Sequence, residues 1–113
     1  MAPASAEELD LHRRLVEGDP AASTELYDRY GKTLVRNLAT QYDRIAMHDR
    51  GLVASAVTDA VLNYVSDPAR YRPAERNLPG YLHMSAAGDL LNLWRKVPVP
   101  EKTGLVESLE ERL

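Results

Sequence analysis

At 113 residues and 44% hydrophobic content, the chain fits one compact domain and is too apolar to default to disorder. It has no cysteine, which excludes disulfides and any thiolate zinc site and suits a reducing cytoplasm. A formal charge of −3 argues against nucleic-acid binding through a global positive field, so any such binding must rest on local charge. The opening MAPASAEELD lacks the basic start and apolar core of a secretory signal, and no apolar run nears the roughly 20 residues of a membrane helix. A cytoplasmic protein with no membrane partner is expected.

The spacing predicts a first helix from near Ser5, with Glu8 three residues on completing a capping-box pattern. Leu9, His12 and Val16 lie on one side of it, with Leu11 and Leu15 beside them. Gly18-Asp19-Pro20 breaks the run; Asp19 can cap the next helix and Pro20 suits its first position. A second helix is expected over residues 21–42. Ala22, Leu26, Tyr30, Leu34, Leu38 and Tyr42 repeat every four positions along it and form one slowly drifting seam. Gly31 lies mid-helix, at a cost of about 1 kcal/mol against alanine.

Residues 43–51 read as a polar connection with room for a helical turn. A third helix over residues 52–65 should bury Val53, Val57, Ala60, Val61 and Tyr64, leaving Asp59 as the one charge on its outer side. Asp67-Pro68 stops it, because the residue before proline is pushed out of the helical region. A fourth helix opens at Asn77 or Leu78, with Pro79 in its first turn, and runs to about Lys96. Val97-Pro98-Val99-Pro100 ends it, since proline cannot donate the helical hydrogen bond. Past that linker, Leu105, Leu109 and Leu113 share one stripe of a short amphipathic helix. The expected fold is therefore all-α: a compact bundle of four main helices over residues 1–97, then a linker and short helix over residues 98–113.

Between the third and fourth helices, residues 67–77 (DPARYRPAERN) hold three arginines and a tyrosine. Arg70, Arg72 and Arg76 could track phosphates, with Asp67 and Glu75 partly cancelling them, and Tyr71 could stack on an exposed base. In the other reading of the same residues, Tyr71 caps the core and the arginines are merely solvated. Arg95 and Lys96 sit in a last helical turn, where the helix dipole already favours cations. Trp94, among Leu90, Leu91 and Leu93, reads as core. Asp89 beside that apolar stripe must find a hydrogen-bond partner or face a partner protein, because an unpaired buried carboxylate is costly. Asp59, with Asn63 one turn on, forms either a partner-facing surface or a solvated one. His12, His48 and His83 lie in different segments without metal-ligand spacing, and no phosphate loop or nucleophile elbow occurs. No enzyme activity, metal or cofactor is expected.

Taken in order, LHRRLVEGDPAASTELYDRYGKTL resembles the opening of region 2 of bacterial sigma factors, especially the extracytoplasmic-function group. Leu15, Gly18, Asp19, Ala22, Leu26, Tyr27, Arg29 and Tyr30 carry that likeness. Residues 56–62 (AVTDAVL) look like the family's polymerase-binding helix, and Arg70-Tyr71-Arg72-Pro73 like its Arg-Phe-Asp-Pro loop. Tyr81-Leu82 stands where the family has Trp-Leu, and Arg95-Lys96 where it has paired arginines. The likeness spans roughly residues 9 to 96.

The resemblance implies a helical domain that binds core RNA polymerase and captures bases of the minus-ten promoter element on the non-template strand. On that reading Arg70, Tyr71, Arg72, Arg76, Asn92, Arg95 and Lys96 contact DNA, and Ser55, Thr58, Asp59 and Asn63 contact the polymerase. An anti-sigma protein is a further expected partner, and a helix-turn-helix domain is expected to follow in the whole protein. The chain also departs from the family. Ala87-Gly88 replaces an arginine-asparagine pair and Asn92 an aspartate, which thins the basic and polar face of the last helix. A second reading therefore stays open: a sigma-like helical module that has lost DNA binding and binds a protein.

Overall fold

A computed structural model describes residues 2–98. Five α-helices carry this part of the chain: α1 (Ala6–Val16), α2 (Pro20–Gln41), α3 (Asp43–His48), α4 (Arg50–Ser66) and α5 (Leu78–Arg95). A 3-10 turn, Pro68–Arg70, lies between α4 and α5, and no strand occurs among the described residues. The four long helices match those expected from the spacing, and the polar connection at residues 43–51 contributes α3. The amphipathic pattern at residues 103–113 lies outside the described residues.

Side chains at the starts of the four long helices explain where those helices begin. Ser5 Oγ accepts from the Glu8 N–H at 3.2 Å while Glu8 Oε2 accepts from the Ser5 N–H at 3.2 Å, a full capping box. Asp19 Oδ1 accepts from the Ala21 N–H at 3.0 Å, with Pro20 in the first position of α2. Asp49 and Asn77 cap α4 and α5 in the same way, each at 2.8 Å. Between α1 and α2 the backbone turns through Gly18 at φ 84°, the one residue with positive φ among those described. Only glycine takes that conformation without steric cost.

The core is the expected one along α2 and α4. Ala22, Leu26, Leu34 and Leu38 from α2 meet Val53, Val57, Ala60, Val61 and Tyr64 from α4, with Tyr30 and Tyr42 partly buried at the edge of the seam. Leu78, Leu82, Ala86 and Leu90 bring α5 onto the same cluster, and α4 and α5 share the most extensive helix pairing in the fold.

Helix α1 faces inward differently from its simplest reading. Leu11 and Leu15 are buried, whereas Leu9 and Val16 are exposed. The inward row is Glu8, Leu11, His12 and Leu15. The two polar members of that row find partners inside the fold, which the apolar pattern alone could not indicate.

Candidate nucleic-acid interface

The bend between α4 and α5, residues 67–77, is clamped from the other end of the chain. The Ala4 N–H donates to the Pro73 carbonyl at 2.9 Å. Glu8 Oε1 accepts from the Leu78 N–H at 2.6 Å, so this carboxylate closes the capping box of α1 and caps α5 as well. An anion suits that place, since the N-terminal end of a helix carries partial positive charge. Burial by itself would raise the Glu8 carboxyl, but the hydrogen bonds from Ser5 and Leu78 outweigh it and hold the group below the usual carboxylate range.

Below the bend lies a box of rings. His12 Nδ1 and the Tyr64 hydroxyl are hydrogen-bonded at 2.6 Å, and the two rings stack with centroids 5.9 Å apart. Tyr71 meets His12 edge-on at 5.1 Å and Tyr64 edge-on at 5.8 Å, and lies tilted against Tyr81 at 4.9 Å. Its hydroxyl donates to the Arg76 carbonyl at 2.7 Å, tying one side of the bend to the other. Burial pushes the Tyr71 hydroxyl up to about 12 and the Tyr64 hydroxyl higher still, and it holds the His12 imidazole below its usual value.

This placement corrects one expectation. Tyr71 is 2% exposed, so its ring faces the core and not a base in solvent. A tyrosine flanked by arginines looks surface-bound from sequence, but three rings and a carbonyl acceptor within reach make the inward position the favourable one.

The arginines around it do stay outside. Arg70 and Arg72 are exposed, and Arg76 is half-buried. With Glu75, Tyr81 and Met84 they line a pocket of about 210 Å³ that has Tyr71 as part of its wall. Arg72 pairs with Glu75 at 3.3 Å with both groups exposed, a contact worth little in water. Arg76 Nη1 lies 2.7 Å from the Met84 sulfur. Tyr81 and Met84 had no role in the sequence reading of the site. The signal that could have found them is their i, i+3 spacing on the first turns of α5, facing back toward the bend.

The remaining expected DNA contacts do not join this pocket. Asn92, Arg95 and Lys96 are exposed at the far end of α5, about 25 Å from its start at 1.5 Å per residue. There Arg95 donates to Asn92 Oδ1 at 3.1 Å. Trp94 is partly buried on the core, its ring 5.3 Å from His48 in an edge-on contact.

The expected polymerase-facing residues share the outer side of α4. Ser55, Asp59 and Asn63 are exposed and Thr58 is partly so, with Leu62 exposed among them. Asp59 also acts on its neighbour across the helix pair. Burial raises the Asp89 carboxyl above its usual range and the Asp59 charge adds to that, while Asp89 Oδ2 is buried without a hydrogen-bond partner. Of the two alternatives for Asp89, an internal hydrogen-bond partner is not found for Oδ2.

Among the described residues no group of three or more His, Cys, Asp or Glu side chains could hold a metal ion. No described helix is long and apolar enough to cross a membrane. Compared with family models, curated proteins and solved structures, the chain matches none.

Proposed function

We propose that this chain is a sigma-like transcription-initiation domain that receives an unstacked promoter base at the α4–α5 bend and docks on core RNA polymerase through α4. The observation that carries this reading is the convergence of Arg70, Arg72, Arg76 and the Tyr81 ring on one pocket of about 210 Å³. Cations at the rim suit the phosphates on either side of a flipped nucleotide, and a half-buried ring suits its face. Tyr81 takes the stacking role that Tyr71, turned inward, cannot fill. The ordered likeness to sigma region 2 supplies the biological setting, with the non-template strand and the polymerase as partners and an anti-sigma protein as regulator.

The test is capture of single-stranded minus-ten DNA by the wild type and by Tyr81→Ala, with folding followed by circular dichroism. Loss of capture with helicity retained supports the reading, whereas unchanged capture removes the pocket from it. Co-purification of core polymerase with wild type and Asp59→Arg tests the α4 face in the same preparation, and equal recovery of polymerase would discard that face.

A second reading has its own support. The outer side of α4 has Asp59 as its one charge and leaves Leu62 57% exposed, and Asp89 beside it keeps an unpartnered oxygen. A protein partner covering that side explains these features without DNA. It predicts polymerase-independent binding that Leu62→Asp abolishes.

A further inference from the structure

Residues 29–50 hold five cations, Arg29, Lys32, Arg36, Arg44 and Arg50, against two anions, Asp43 and Asp49, within a chain of net charge −3. How those cations are engaged sets this stretch apart. Arg13 and Arg14 on α1 are taken up by Asp10, Glu17, Asp19 and Glu25, and Arg29 pairs with Glu25 at 2.8 Å. Lys32, Arg36, Arg44 and Arg50 form no ion pair among the described residues and are exposed. Arg36 and Arg50 line an open groove of about 550 Å³ where the end of α2, α3 and the start of α4 meet. Asp43 lies in the same groove but pairs with neither. The floor is apolar, with Ala39 and Ala46 below and Met47 57% exposed. Lys32 extends the charge one turn along α2, about 6 Å from Arg36 along the axis.

We propose that this groove is a second nucleic-acid contact, in which Lys32, Arg36 and Arg50 hold consecutive phosphates of a single strand and Met47 meets the face of an unstacked base. Unpaired cations carry no partner that a phosphate must displace, so each contact releases counterions at full effect. Guanidinium groups match phosphate oxygens in a two-pronged geometry, and a 6 Å step suits a strand whose phosphates repeat at about 3.4 Å or more. The thioether of an exposed methionine is polarizable and adaptable, which suits a flat π-face of any base. An acidic protein surface could use the same cations and floor, but Lys32 and Arg36 stand one turn apart in a row along α2, which suits the repeating charge of a phosphate backbone. The contact is separate from the pocket at the bend and does not depend on it.

The experiment uses the full chain and a fluorescein-labelled oligothymidylate, followed by anisotropy through a potassium chloride series. Arg36→Gln/Arg50→Gln is expected to bind about tenfold more weakly. Its log–log salt dependence should be shallower by about 1.4, two lost contacts at about 0.7 each, with circular dichroism unchanged. Arg70→Gln/Arg72→Gln is measured alongside. Loss in the groove variant supports the groove whether or not the bend variant weakens as well. Wild-type affinity in the groove variant while the bend variant weakens overturns the groove and leaves the bend. Two other results overturn the proposal: no binding by wild type at low salt, or displacement by polyglutamate as effective as by unlabelled oligothymidylate at equal charge.

Discussion

The bend at residues 67–77 and the groove at residues 36–50 both present arginines to solvent, yet they are supported from different distances along the chain. At the bend, Ala4, Glu8 and His12 reach Pro73, Leu78 and Tyr64, with His12 52 positions from its partner and Glu8 70 from its own. The groove is formed by α2, α3 and α4, which follow one another without interruption; a long-range polar bond does reach this stretch, between Gln41 Oε1 and His83 Nε2, but it does not involve the groove's lining residues. A site held across the whole chain can be lost by unfolding its support. A site on consecutive helices leans on the shared core but takes its own chemistry from its own surface. The two regions also differ in how their cations are engaged: Arg72 and Arg76 have side-chain partners at the bend, whereas Arg36 and Arg50 share the groove with Asp43 but form no ion pair among the described residues.

Four measurements break or sharpen that contrast. The largest effect is expected for Tyr71→Ala, which removes a buried ring from between His12, Tyr64 and Tyr81. It should cost about 3–5 kcal/mol in urea unfolding, the range for deleting a large core aromatic. A loss under about 1 kcal/mol would mean that the bend does not depend on its ring box. Glu8→Ala comes next, at about 1–2 kcal/mol, because the α1 capping box and the bond to the Leu78 N–H go together. Hydrogen exchange at the start of α5 should quicken in that variant while the α2–α4 groove keeps its protection. Equal quickening in both regions would show that the bend has no support of its own.

The third measurement is the effect of pH. Burial holds His12 below 6.5, so the folded state binds fewer protons than the unfolded state in the interval just under that value. Its contribution to stability is complete above 6.5 and is lost as pH falls through the depressed folded value. Glu8 acts in the same sense at lower pH, its contribution present above the usual carboxylate value and lost on acidification. Asp89 opposes both, since a raised carboxyl relieves strain when it takes up a proton. Unfolding midpoints for wild type and His12→Phe should therefore converge in shape above pH 6.5 and part below it, with the variant losing less. Parallel profiles across that range would remove His12 from the account. The smallest effect is expected for Met47→Ala in the groove, within about 0.5 kcal/mol, because the side chain is largely in solvent. A loss above 1 kcal/mol would show that the groove is braced by tertiary packing after all.

Much of the frame could be read from the residues. Ser5, Asp19 and Asn77 sit at the helix starts where their side chains and the following spacing place them, and the four-residue seam of α2 is the buried one. Asp59, Asn63 and Ser55 lie outward on α4 as its apolar pattern requires. The site was less legible. The arginines of the bend are outside and share a pocket, but the ring among them turns in and Tyr81 takes its place at the rim. Asn92, Arg95 and Lys96 belong to another end of the molecule. The unpaired cations of α2 and α4 drew no notice, since pairing cannot be seen until Arg13, Arg14 and Arg29 are found beside their acids.

The residues alone specify the four long helices, the caps at Ser5, Asp19 and Asn77 and the inward stripes of α2 and α4, because those depend on side chains three or four positions apart on one rigid repeat. Which side of α1 faces in, what Glu8 bonds besides its own cap, where the Tyr71 ring points and which cations stay unpaired emerge when the helices pack. Each of those turns on a neighbour dozens of residues away or on a choice among several acids within reach. No local period encodes such a choice, and a polar side chain goes where its hydrogen bond can be made.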